Sequence, residues 1–292
     1  MTVARRRLFG PLAALILTTA LMTAAWACPA AGQDCFAQFP GGRVYYQDMG
    51  QGPLSVVFIH GWSCDHTFWR EQIPEISKKY RVIALDMPGH GRSDKPHLPY
   101  TQDFLVQGVN AVLQKAKVKE AVLAGHSMGA AVAWRAALQS PSPIKAVVVV
   151  DGAFLDVPRE TKAQIDAFLK PFQGPDYRGT VIKFVEAMLG PAMTPQLKKE
   201  IITKMLSTPK YVGLSAMENF GDLGVWKYRP VKVPTLAVYA KNPEMPPDFE
   251  KFLKKMFPHL KYVLWQGVGH FFMMERPKKL NRELLAFFAT LK

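Results

Sequence analysis

Short, unbroken apolar runs recur along the chain: Leu54–Ile59, Arg81–Leu85, Ala121–Ala124, Val147–Val150, Thr235–Tyr239 and Tyr262–Trp265. Runs this short and rich in β-branched residues suit strands covered on both faces, as in parallel sheets. Helix-prone segments separate them, and the alternation continues through Asp151. It predicts an α/β architecture with a mostly parallel sheet. Gly42–Met49 opens this sheet between two turn signals, Gly41-Gly42 and Gly50-Gln51-Gly52-Pro53. The pattern changes from Pro158 to about Tyr228. Apolar residues there fall at helical spacing (Ile165, Phe168, Leu169; Ile182, Val185, Leu189), and Pro171, Pro175, Pro191, Pro195 and Pro209 divide the stretch into short helices. The expected organisation is a sheet domain over 41–152, a helical insertion over 153–230 and a return to the sheet over 231–292. Residues 28–40 read as an irregular segment with little core-forming pattern.

The extreme N-terminus reads differently. Arg5, Arg6 and Arg7 precede an apolar stretch from Leu8 to Trp26, and Ala25 and Ala27 flank Trp26. That is the order of an export signal over 1–27, which implies a periplasmic or extracellular protein. The apolar stretch is also near the ~20 residues that span a bilayer, so an uncleaved anchor is the alternative. Cleavage after Ala27 leaves Cys28 first and raises a lipoprotein form, although Ala25-Trp26-Ala27-Cys28 is a poor lipobox. Arg5-Arg6 with Leu8-Phe9 hints at twin-arginine export. Membrane contact is expected only through this segment.

At 292 residues the chain is long enough to bury a substantial core. The net charge of +14 is strongly basic, but outside the N-terminus its cations are scattered in pairs such as Lys78-Lys79 and Lys254-Lys255. No arginine and aromatic groove for nucleic acid is visible. Of the cysteines, Cys28 and Cys35 are placed to form a clasp after export, and Cys64 reads as a small buried residue. No His/Cys spacing suggests a zinc site.

The chemistry concentrates at Gly125-His126-Ser127-Met128-Gly129, between the strand Ala121–Ala124 and the helix-prone stretch Ala130–Leu138. A serine on a tight strand-to-helix turn needs glycine on both sides, because its neighbours are crowded. The following helix also points free N–H groups at the same place. A serine hydroxyl needs a base within hydrogen-bond reach. His270 is the candidate, since Gly267 and Gly269 let the loop after the last strand present its ring. Two further turns follow strands, His60-Gly61-Trp62 and Asp86-Met87-Pro88-Gly89-His90-Gly91.

With these motifs in this order, the chain from about Gly41 onward resembles the α/β-hydrolase fold superfamily, and within it the serine-nucleophile, esterase- or lipase-like members. The resemblance implies a doubly wound, mostly parallel sheet with helices on both faces and a helical lid after the sixth strand. It also implies oxyanion-hole donors at the Trp62 and Met128 N–H groups, a structural role for His60, a scaffold role for His90, and a His126 side chain turned away from the nucleophile. The acid departs from the common pattern. Many relatives carry aspartate after the strand matching Thr235–Tyr239, where this chain reads Ala240-Lys241-Asn242-Pro243-Glu244. Asp151, at the end of Val147–Val150, is favoured, as in relatives such as haloalkane dehalogenases; Glu244 is the alternative acid and Asp248 a more distant option.

Serine at the elbow, where dehalogenases and epoxide hydrolases of this fold place aspartate, implies acyl transfer to water, best a carboxylic ester cleaved through an acyl-enzyme. No metal or organic cofactor is implied. The substrate expected is a small, partly hydrophobic molecule, given lid residues such as Phe168, Phe184, Met188 and Met217, many of which also pack the lid. Hydrolysis of a C–C bond, cofactor-free perhydrolysis and a noncatalytic binding protein of the same fold stay open.

Overall fold

The computed structural model describes residues 34–140, 142–156 and 159–291. The proposed export signal and Cys28 lie outside the described residues. Strands β1 (Asp34–Phe39), β2 (Gly42–Met49), β3 (Leu54–Ile59), β4 (Arg81–Leu85), β5 (Glu120–His126), β6 (Ile144–Val150), β7 (Thr235–Ala240) and β8 (Leu260–Trp265) form an eight-stranded sheet in the order β1-β2-β4-β3-β5-β6-β7-β8. The β1/β2 and β2/β4 pairs are antiparallel, and β4-β3-β5-β6-β7-β8 pair in parallel. The central strands are covered on both faces, which is why their sequences are continuous apolar runs: every residue of β3 and β7 is buried.

Residues 34–39 correct the expectation of an irregular segment. Cys35, Ala37 and Phe39 alternate with more exposed neighbours, a period of two that places one face on the core. The strand pairs with β2 in register from Asp34↔Gln47 to Phe39↔Gly42. Cys35 is disulfide-bonded, and Cys64 is free and buried.

Helices α1 (Ile73–Ile76), α2 (Gln102–Lys115) and α3 (Met128–Gln139) connect the first strands; α8 (Phe249–Met256), α9 (Phe272–Glu275) and α10 (Pro277–Phe288) flank the last. Between β6 and β7 lie α4 (Lys162–Gln173), α5 (Tyr177–Ala187), α6 (Pro195–Met205) and α7 (Lys210–Phe220). The prolines act here as the chain chemistry requires. Pro195 stands in the first turn of α6, where a missing N–H costs nothing, and Pro209 caps α7. Pro171, in contrast, lies inside α4, two residues before its end.

The strand order reverses between β3 and β5, since β3 leads to β4 on one side while β5 lies on the other. Such a switch opens a crevice beyond the carboxyl ends of the strands. Ser127, Asp151 and the His60-Gly61-Trp62 turn all follow strand ends at that edge.

Candidate active site

Ser127 stands between β5 and α3 with φ 53° and ψ −125°. A non-glycine residue held there carries strain of about 1–3 kcal/mol, which surrounding contacts must overcome. They are present. Its N–H donates to Val150 O at 3.1 Å, and its carbonyl accepts from Ala130 N at 3.0 Å and Ala153 N at 3.1 Å. The flanking glycines have no room for a side chain. A Cβ on Gly125 would meet Gly129 O at 2.3 Å, and one on Gly129 would meet His60 O at 2.3 Å and Ile59 O at 2.4 Å.

Asp151 ends β6 in a second left-handed conformation, with φ 43°. Its N–H donates to Val238 O at 2.8 Å. The side chain is thereby aimed across the edge of the sheet: Oδ1 accepts from Ala240 N at 2.8 Å and Oδ2 accepts from His270 Nδ1 at 2.6 Å. A carboxylate only accepts, so the bonded His270 Nδ1 carries a proton, and the neutral form of the ring has its lone pair on Nε2. The two side chains are 14% and 16% exposed, sheltered enough for a charge-assisted bond to hold the ring. Backbone contacts fix the His270 turn as well. Its N–H donates to Met188 O at 2.9 Å, and the neighbouring Gly269 N–H donates to Glu275 Oε2 at 3.0 Å.

Glu244 is not brought to His270. It lies exposed in the loop after β7, its N–H bonded to Asn242 Oδ1 at 2.8 Å. Asp248 is engaged by Arg159. The other predicted residues divide by role. Trp62 and Met128 face the same cavity as Ser127 and His270. Met128 is the first residue of α3, so its N–H has no acceptor within the helix. The Trp62 indole N–H donates to Gly213 O at 2.7 Å, tying this turn to α7. His60 joins two strand-end turns, with Nδ1 at 2.8 Å from Gly61 O and Nε2 accepting from Met87 N at 2.9 Å. Burial pushes its pKa down, and pushes that of His90 down to about 3. The His126 ring lies against the His270 ring, with centroids 4.5 Å apart. Among the described residues, no group of three His, Cys, Asp or Glu side chains is placed to hold a metal ion.

The cavity in front of Ser127 measures about 330 Å³, within the small-ligand range. Its walls come from both layers of the molecule. The sheet end contributes Trp62, Cys64, Met128 and Phe271; the helical insertion contributes Ile165, Phe168, Phe184, Met188, Met205 and Met217.

The sequence pattern of the alpha/beta hydrolase family matches residues 56–283. The chain belongs to this family. Among curated proteins, it is 27% identical over 255 residues to the AB hydrolase superfamily protein YisY of Bacillus subtilis (strain 168), covering 84% of this chain and 94% of that protein. It is also 25% identical over 302 residues to bifunctional epoxide hydrolase 2 of Sus scrofa, covering 86% of this chain but 54% of that protein. The chain thus spans about half the length of this second relative. Among solved structures, a similar one is Est816, described as an N-acyl homoserine lactone degrading enzyme, with TM-score 0.75, 26% identity, and coverage of 87% of this chain and 100% of that one. The esterase EaEST from Exiguobacterium antarcticum shares the fold with TM-score 0.77, 21% identity, and coverage of 87% and 99%. As a member of the alpha/beta hydrolase family, the chain is a hydrolase.

Proposed function

We propose that this hydrolase cleaves a carboxylic ester, open or cyclic, through an acyl-enzyme on Ser127. The observation that carries this reading is His270, held by Asp151, facing the same apolar cavity as a serine on a strained elbow. His270 takes the Ser127 proton through its free Nε2 as the hydroxyl oxygen attacks the acyl carbon. The carbonyl π electrons move to oxygen, and Trp62 and Met128 N–H groups receive that developing charge. Collapse expels the alcohol, which leaves with the proton from His270. Water then repeats the sequence, releasing the acid and restoring Ser127. Asp151 holds the Nδ1–H tautomer and stabilises the imidazolium.

Serine rather than aspartate at position 127 favours acyl transfer over epoxide opening, although epoxide hydrolases are among the relatives. Similarity to a lactone-degrading enzyme supports ester chemistry, since a lactone is a cyclic ester. The cavity walls favour a substrate with an apolar acyl or alcohol group. The test is a fluorophosphonate probe. Wild type labels and Ser127→Ala does not; absence of label on wild type refutes the reading.

Export is part of the proposal and rests on Arg5–Arg7, the apolar stretch and Ala25-Trp26-Ala27. Expression in a bacterial host followed by intact-mass measurement is expected to show a mature chain that begins near Cys28. An unprocessed chain confined to the cytosol is the opposing result.

A further inference from the structure

His126 immediately precedes Ser127, yet no step above uses it. Its imidazole is 1% exposed. Nε2 lies 3.0 Å from the His270 carbonyl oxygen. A carbonyl only accepts, so His126 carries its proton on Nε2. Nδ1 is then a buried lone pair without a hydrogen-bond partner among the described residues. On that side, a Cβ added to Gly61 would come within 2.9 Å of His126 Nδ1 and 3.1 Å of Ser127 Cβ. Phe271 and Trp69 box in the ring, with centroids 5.5 and 6.4 Å away. One imidazole thus lies between the turn leading to Trp62 and the turn carrying His270. Desolvation, together with the neighbouring His270, holds its pKa well below the ordinary range. It therefore remains an uncharged donor while His270 gains and loses a proton.

We infer that His126 is a positioning residue, whose Nε2–H bond to the His270 carbonyl sets the spacing between the His270 turn and the Gly61–Trp62 turn. The inference rests on the proposed roles of Ser127 and His270. Its force comes from distance: a misplacement of about 1 Å in a reacting constellation slows catalysis about 100-fold. A histidine that merely fills space would act through volume. The donor bond acts through one N–H, and substitutions separate the two.

His126→Phe keeps a ring and removes the donor. His126→Gln places an amide N–H near the Nε2 position, whereas His126→Asn reaches only the Nδ1 position. The readouts are the fluorophosphonate labelling rate, kcat and KM on a p-nitrophenyl ester, and a thermal melt. Phe and Asn are expected to lower kcat and labelling about 10- to 100-fold with KM within about twofold, and Gln to recover to within about fivefold of wild type. Should the Phe variant fail to fold, the Asn and Gln pair carries the comparison. Equal rates in the Asn and Gln variants, or wild-type rates in the Phe variant, overturn the inference and leave the hydrolase reading intact. A wild type that does not label overturns both.

Discussion

The end of the sheet and the helical insertion meet at one cavity, but they are built differently. At the sheet end small residues are locked by backbone: Gly125 and Gly129 admit no side chain, and α3 buries Ala130, Ala131, Ala133 and Ala136 completely. In the insertion, α4 buries only Leu169 and Phe172, and Phe168 stands 44% exposed at the cavity wall. Close-packed backbone leaves no alternative arrangement, whereas methionine and phenylalanine on half-exposed helices can re-pack. Chemistry needs the first property and substrate fit tolerates the second. Changes at the sheet end should therefore act on kcat or on folding, and changes in the insertion on KM.

The largest effect is expected at the acid. Asp151→Asn should lower kcat about 10²- to 10⁴-fold with ester binding retained, while Glu244→Gln stays within about twofold because its exposed side chain leaves His270 alone. Steady-state kinetics on a short-chain ester separates them, and equal losses would remove Asp151 from the mechanism. Next comes packing. Gly129→Ala drives a methyl into the carbonyls of Ile59 and His60, an overpacking cost of about 1–3 kcal/mol or more. For a domain of this size the melting temperature should fall by about 3–10 °C. An unchanged melt would show that α3 is free to move.

A smaller effect concerns pH. His90 is buried, with its pKa pushed down to about 3, against about 6.5 in the unfolded chain. Between these values the unfolded state binds the proton and the folded state does not. The stability held by neutral His90 is therefore complete above about 6.5 and is lost progressively as pH falls toward 3. Urea midpoints at pH 7 and pH 5 should differ, and less so in His90→Asn. The same difference in both proteins would assign the acid sensitivity elsewhere. The smallest effect is in the insertion. Phe168→Ala should raise KM for long-chain esters about two- to fivefold and leave kcat on acetate esters within about twofold. A fall in kcat on every ester would erase the contrast between the two regions.

The strands were legible because burial on both faces writes itself as unbroken apolar runs, and β3 and β4 match their predicted limits. Ser127 was marked by crowding that only glycine neighbours tolerate. Asp151 could be singled out because Ala240–Glu244, just after β7, holds no aspartate and a valine run leads straight into Asp151. What the sequence hid was either short or distant. β1 shows its alternation only in Cys35, Ala37 and Phe39, too few positions to stand out. The hydrogen-bond partner of His126 lies 144 residues on, beyond any local pattern. The contact of the His270 turn with the end of α5 is likewise invisible in sequence, since it joins backbone to backbone.

That last contact has a consequence for recombination. A Cβ on Gly269 would fall 2.0 Å from Gly190 N, and the Met188 carbonyl holds the His270 N–H. A foreign insertion transplanted between β6 and β7 would have to reproduce that carbonyl and that bare backbone before its own specificity could be expressed. Chimaeras that keep residues 188–190 from this chain should outlive those that exchange the whole block.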